Sequence, residues 1–72
     1  MRNLVREIRV RAGLSQGELS VRTRISQGRL SLLERGLEHA WPDWRRRIAE
    51  ALQVEESTLF PELAKDAETT NG

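Results

Sequence analysis

The stretch Leu14-Ser15-Gln16-Gly17-Glu18-Leu19-Ser20-Val21-Arg22-Thr23-Arg24-Ile25-Ser26-Gln27-Gly28-Arg29-Leu30-Ser31-Leu32-Leu33-Glu34-Arg35-Gly36 decides the fold. It contains two helix starts in close succession. Ser15 with Glu18 three residues on is a capping box, in which each side chain satisfies the other residue's backbone N–H. Ser26 is a second N-cap, because its hydroxyl can accept from a backbone N–H that the first helical turn leaves unbonded. Between the two helices, Thr23-Arg24-Ile25 reads as the turn. The earlier helix carries Leu19 and stops near Val21 or Arg22. The later one runs from Gln27 to about Arg35, buries Leu30 and Leu33, and ends at Gly36. Small Ser20 stands where the two helices cross closely, and Ile25, Leu30 and Leu33 lock the second onto the first.

Three further helices flank this unit. Leu4, Val5, Ile8 and Ala12 recur at helical spacing over residues 3–12. Asn3 is placed to cap that helix, and Gly13 to end it in a left-handed conformation. Residues 37–42 form a loop closing at Trp41-Pro42. Asp43 then serves as the cap or a first-turn residue of a helix reaching about Gln53, with Trp44, Ile48, Ala51 and Leu52 on one face. A last short helix spans Glu55 to about Leu63, with Leu59 and Phe60 inward; Pro61 limits its length unless it falls in a first turn. No segment alternates long enough to be a strand. The expected fold class is therefore all-α, a compact five-helix bundle. A single domain occupies residues 1–63, with its two capped helices over 15–35, and residues 64–72 read as a polar tail.

Composition narrows what such a bundle can do. The chain has 72 residues and no Cys. A domain of this size buries only about 60% of the surface its unfolded chain exposes, so apolar helix packing alone must hold it. The lone His39 makes no metal site, and no calcium-loop pattern is present. No cofactor is expected. A catalytic role is rejected: there is no thiol, no His–carboxylate pairing, no glycine-rich phosphate loop, and no room for a deep pocket. No apolar run approaches the roughly 18 residues that a membrane helix needs, and charges recur from Arg2 to Arg11 where a signal peptide would be apolar. A cytoplasmic protein with no membrane partner is the expectation.

The net charge is only +1, but its distribution is uneven. Residues 1–36 carry eight Arg against three acids, and residues 37–72 carry three Arg and one Lys against eight acids. A basic half joined to an acidic half suits a polyanion-binding face with a separate partner-facing end. The competing reading is that Arg is merely the surface cation of this chain.

Two short capped helices joined by a tight turn have the geometry of a helix-turn-helix, whose second helix lies in the major groove of double-stranded DNA. Here the chain resembles the phage repressor and Cro-type helix-turn-helix domains. The resemblance rests on Leu14-Ser15-Gln16-x-x-Leu19, Ile25-Ser26, Leu30-Ser31-x-x-Glu34-x-Gly36, Ile48-Ala49-x-Ala51-Leu52 and Leu59-Phe60-Pro61, and covers about residues 4–63. It implies a five-helix bundle without sheet. It implies that Gln16 contacts a phosphate at a helix N-terminus. It also implies that Ser26, Gln27, Gly28, Arg29 and Leu32 face DNA, with Arg35 just past them near the phosphates, and that Arg9 and Glu34 form an internal salt bridge.

Side-chain chemistry supports part of this. Arg29 can grip guanine through two parallel hydrogen bonds, Gln27 can do the same for adenine, and Leu32 can touch a thymine methyl. Gly28 would let the backbone come close. Arg29 could equally hold a phosphate, since most protein–DNA hydrogen bonds go to the backbone. Gln27 could be a solvated first-turn residue. Arg6 is left undecided, and no role is assigned to Arg2 or Arg11.

Two departures from the family pattern stand out. Arg24 occupies a turn position that usually holds Gly, at a cost on the order of 1 kcal/mol if left-handed, with its charge reaching a phosphate in compensation. The loop carries Glu38 and Asp43 where relatives often carry bases. Arg45, Arg46 and Arg47 either compensate by binding phosphate or form a solvated face against the two indoles. Trp44 reads as core, whereas Trp41 either covers the loop or stands exposed at a contact.

A single module with few base contacts discriminates weakly. A homodimer on half-sites one helical turn apart would supply the missing affinity, meeting through the acidic region around Leu59 to Leu63. The expected function is a transcriptional regulator, a repressor acting by operator occupancy. The alternative is an antitoxin or accessory module acting through a protein partner, with Trp41 and the acidic half as the working surface.

Overall fold

The structure, a computed structural model, describes residues 2–63. Five helices follow one another: α1 Val5–Arg11, α2 Gln16–Thr23, α3 Gln27–Glu34, α4 Pro42–Leu52 and α5 Glu56–Leu59. The described residues contain no strand. The polar tail expected from residue 64 onward lies outside the described residues. Among the described residues, no helix is long and apolar enough to cross a membrane.

The helix boundaries follow from local chemistry. At α2 the full capping box is present: Glu18 N–H donates to Ser15 Oγ and Ser15 N–H donates to Glu18 Oε1, each at 3.0 Å. The hydrogen bond from the Ser15 backbone, reinforced by its hydroxyl, holds the Glu18 carboxyl below its ordinary pKa. Ser26 caps α3 by accepting from Arg29 N–H at 3.3 Å. Asn3 stands one residue further out than a standard cap: its Oδ1 accepts from Val5 N–H at 3.1 Å, and Leu4 is the N-cap. Gly13 and Gly36, both at φ +76°, turn the chain sharply after α1 and after α3. This left-handed conformation is one that only Gly adopts without strain.

The fourth helix matches its apolar pattern, whereas the fifth is shorter than expected. α4 begins with Pro42 at its first position, so Asp43 is a first-turn residue and Trp41 the cap. It ends at Gln53, which is itself left-handed at φ 58°. α5 stops at Phe60, and residues 61–63 are helical again, so Pro61 sits where a missing N–H costs nothing.

The core collects one face of every helix. Val5, Leu19, Leu30, Leu33, Ile48, Leu59 and Phe60 are fully buried, joined by Ile25, Ala40, Ala49 and Leu52. α2 packs against α3 and α4, and α4 also reaches α1 and α5. Trp44 packs on the edge of this core, as its helical phase indicated, whereas Trp41 is 54% exposed. The His39 ring meets the Trp41 ring edge-on at 4.5 Å. The chain's beginning is also fastened to distant parts of the bundle. Leu4 N–H donates to the Leu59 carbonyl at 2.8 Å, and Asn3 Nδ2 donates to the Leu33 carbonyl at 2.7 Å.

The turn between α2 and α3 is held by two hydroxyls. Ser20 Oγ donates to the Ile25 carbonyl at 2.6 Å. Buried Thr23 Oγ1 donates to the Leu19 carbonyl at 2.8 Å and accepts from Ile25 N–H at 3.3 Å. Arg24 is forced into the left-handed region between them, at φ 60°, ψ 26°. Replacing Arg24 by Gly is therefore expected to raise unfolding free energy by about 1 kcal/mol. Urea denaturation followed by helical circular dichroism measures this; a loss of stability would show that the Arg24 side chain contributes more than its backbone costs.

Candidate nucleic-acid interface

The interface is built on a buried ion pair. Arg9 on α1 meets Glu34 on α3 twice, Nε to Oε2 at 2.7 Å and Nη2 to Oε1 at 3.2 Å. The two side chains retain only 11% and 3% of their exposure. Arg9 Nη1 also donates to the Leu14 carbonyl at 2.9 Å, so the guanidinium bridges α1, the α1–α2 turn and α3. The hydrogen bond to Glu34 raises the Arg9 pKa above its ordinary value, against the opposing effect of burial.

From this pair a chain of amides leads to the surface. Gln16 Nε2 donates to Glu34 Oε1 at 3.2 Å, and Gln27 Nε2 donates to Gln16 Oε1 at 3.5 Å. The first residue of α2 is thus tied to the first residue of α3. Their polar ends lie side by side, with the exposed first turn of α3 (Gln27, Gly28, Arg29) next to them. Ser26 is exposed, Leu32 is half-buried, and Arg35 is exposed with its Nε donating to the Ser31 carbonyl at 3.3 Å. A Cβ placed on Gly28 would meet nothing within 4 Å, so this position is open to whatever approaches the helix.

Beside this face lies an open cleft of about 450 Å³, floored by Arg9 and Glu34 and lined by Arg6, Ser15, Gln16, Ser31 and Arg35. Two cations, two hydroxyls and an amide around one concavity suit an anionic oxygen cluster. Arg6, undecided from sequence, is thereby grouped with Gln16 and Arg35. Arg24 is placed elsewhere, on a second concavity with Arg22 and Arg47, next to the α2–α3 turn.

The arginine run of α4 is engaged with nearby carboxylates and carbonyls. Arg45 Nη1 donates to the Ala40 carbonyl at 3.1 Å, and its Nε lies 3.6 Å from Glu56. Arg46 pairs with Asp43 and Glu50. Arg47 pairs with Asp43 at 2.6 Å and donates to the Thr23 carbonyl at 3.3 Å. Asp43 thus offsets the two cations that would oppose the macrodipole near the helix start. The Asp43–Arg47 step of one helical turn is a spacing legible in the sequence that sequence reasoning missed, and the carbonyls come from loop and turn backbone. Glu38 is also engaged: its carboxylate accepts from Arg29 Nη1 at 2.9 Å.

The sequence profile of the helix-turn-helix domain family matches residues 1–60. The chain belongs to that family. The match agrees with the repressor and Cro-type resemblance and with the all-helical bundle. No curated protein and no solved structure matches the chain significantly. As a helix-turn-helix domain, the chain is a DNA-binding module of a kind that is typically not enzymatic.

Three variants test how this helix-turn-helix domain holds its exposed polar face. Glu34→Ala leaves the Arg9 guanidinium buried and unpaired, and is expected to cost about 3–5 kcal/mol. A paired Arg9→Met, Glu34→Leu variant is expected to regain most of that stability, as read by urea unfolding. Gly28→Ala is expected to stabilise the free domain by about 0.5 kcal/mol, since the added methyl meets open space and favours the helix. The same methyl is expected to weaken DNA binding, which separates the two effects in paired melting and binding measurements.

Proposed function

We propose that the protein is a sequence-specific transcriptional regulator, a repressor that occupies a near-palindromic operator as a homodimer. One observation carries this reading: the first turn of α3 presents Gln27, Gly28 and Arg29 to solvent, while Leu30 and Leu33 on its other face are fully buried. None of the three enters the core, and the side chains of Gln27 and Arg29 make hydrogen bonds at the surface, to Gln16 and Glu38. In the major groove, Gln27 and Arg29 would pair with adenine and guanine edges, Ser26 would stand at the groove edge, and Leu32 would meet a thymine methyl. Gln16, Arg6 and Arg35 would hold phosphates across the cleft beside α2, and Arg24 would reach a phosphate from the turn.

Leu37 and Trp41, both more than half exposed on the loop after α3, favour a second reading. An apolar pair standing on the surface suits a protein partner, and the module would then act chiefly through that contact.

Selection of duplexes from a random-sequence pool, scored at two salt concentrations, separates these readings. The regulator is expected to enrich a site with two related half-sites about one helical turn apart, and log affinity is expected to fall linearly with log salt. Arg29→Ala is expected to relax one base position in each half-site. Weak, salt-sensitive binding without enrichment would overturn the regulator reading in favour of the protein partner.

A further inference from the structure

Arg29 is the one cation in the exposed first turn of α3, and a carboxylate already holds it. Gly36 turns the chain back after α3, and the returning loop brings Glu38 to Arg29, nine residues away in sequence. The Glu38 side chain is only 19% exposed, whereas that of Arg29 is 58% exposed. A mostly covered carboxylate therefore holds a mostly open guanidinium. The contact uses Nη1 alone, at 2.9 Å.

We propose that Glu38 is a specificity-determining residue, which makes Arg29 a reader of guanine rather than a clamp on phosphate. The inference rests on the proposed regulator function and deepens it. Guanidinium presents five N–H donors in a fixed fork. With Nη1 engaged, the Nε–Nη2 edge remains, and among the described residues it has no hydrogen-bond partner. Two parallel donors on one edge are what guanine O6 and N7 accept. The carboxylate fixes the plane of that edge and limits the rotamers available to Arg29.

Charge separates the two targets. A phosphate approaching Arg29 would also approach Glu38, and the like charges repel. A base edge carries only partial negative charge on O6 and N7, so Glu38 opposes it less. The pair therefore weakens sequence-independent binding more than it weakens guanine recognition. This accounts for an acidic residue in a loop where a DNA-binding domain gains affinity from basic ones.

The experiment compares affinity for the selected duplex and for a scrambled duplex of equal length, by fluorescence anisotropy at several salt concentrations. Wild type, Glu38→Ala, Glu38→Gln, Arg29→Ala and the Arg29→Ala, Glu38→Ala double variant are measured, each checked for helical content. Glu38→Ala is expected to lower the ratio of specific to non-specific affinity about tenfold, the scale of one bidentate base contact. The loss is expected to come mainly from tighter, more salt-dependent binding to the scrambled duplex, as an added phosphate contact requires. Glu38→Gln, which keeps an acceptor oxygen without charge, is expected to fall between. In the Arg29→Ala background, removing Glu38 is expected to leave the ratio unchanged.

An unchanged ratio in Glu38→Ala would overturn the proposal, as would an equal loss with and without Arg29. A gain in selectivity would also overturn it, by showing that Glu38 withholds Arg29 from DNA. If Glu38→Ala does not fold, Glu38→Gln decides by the same criteria. A wild-type protein that selects no site removes the regulator reading and this inference together, whereas a selective wild type with indifferent Glu38 variants removes this inference alone.

Discussion

The Arg9–Glu34 pair is the contact on which the geometry of the binding face depends. It is bidentate and almost fully covered, and it joins the first helix to the third while also gripping the backbone ahead of the second. Because Glu34 also accepts from Gln16, and Gln16 from Gln27, the exposed amides take their positions from a buried charge. An ion pair of this kind adds little net stability over apolar residues of similar shape, but it tolerates few alternative arrangements once formed. A small bundle held by aliphatic contacts has many near-equivalent helix rotations, and the pair selects among them.

Much of the architecture was legible because it is written in local signals. Ser15 with Glu18, Ser26, Gly13 and Gly36 mark helix ends by chemistry that acts within a few residues, and the structure places helix boundaries at each. Core residues followed from helical phase, Trp44 among them. What escaped was long-range and backbone-directed. That Thr23 would be buried and brace the turn, or that Arg45 and Arg47 would donate to the carbonyls of Ala40 and Thr23, depends on how α4 crosses the other helices. No spacing rule encodes that crossing. Glu38 looked adverse for the same reason: its sequence neighbours gave no hint of Arg29. Of the site, the placing of Gln27 and Arg29 together follows from their positions in one helical turn, whereas Gln16 is implied by the family resemblance and joins them through its amide. Placing Arg6 on the same cleft required the structure.

The uneven charge also takes on a different meaning. The basic first half is not uniformly available to a polyanion, since Arg9 is buried and Arg29 is paired. The arginines of the acidic second half are largely occupied with nearby carboxylates and carbonyls. What faces outward at the first turn of α3 is therefore mostly amide and hydroxyl, with a single partly compensated guanidinium. Such a surface gains less from electrostatics alone and relies more on hydrogen-bond geometry.

The seam between the two ends of the fold has a consequence for biosynthesis. Leu4 is hydrogen-bonded to Leu59, and Val5 shares the core with Leu59 and Phe60, so the seat of the first helix is completed only when the fifth has been made. The helix at residues 27–34 is synthesised before those residues are added. A nascent chain can thus contain all of α3 and still lack part of the core that its Leu30 and Leu33 join. The domain therefore closes only in chains translated as far as Phe60, when its beginning and its end can meet.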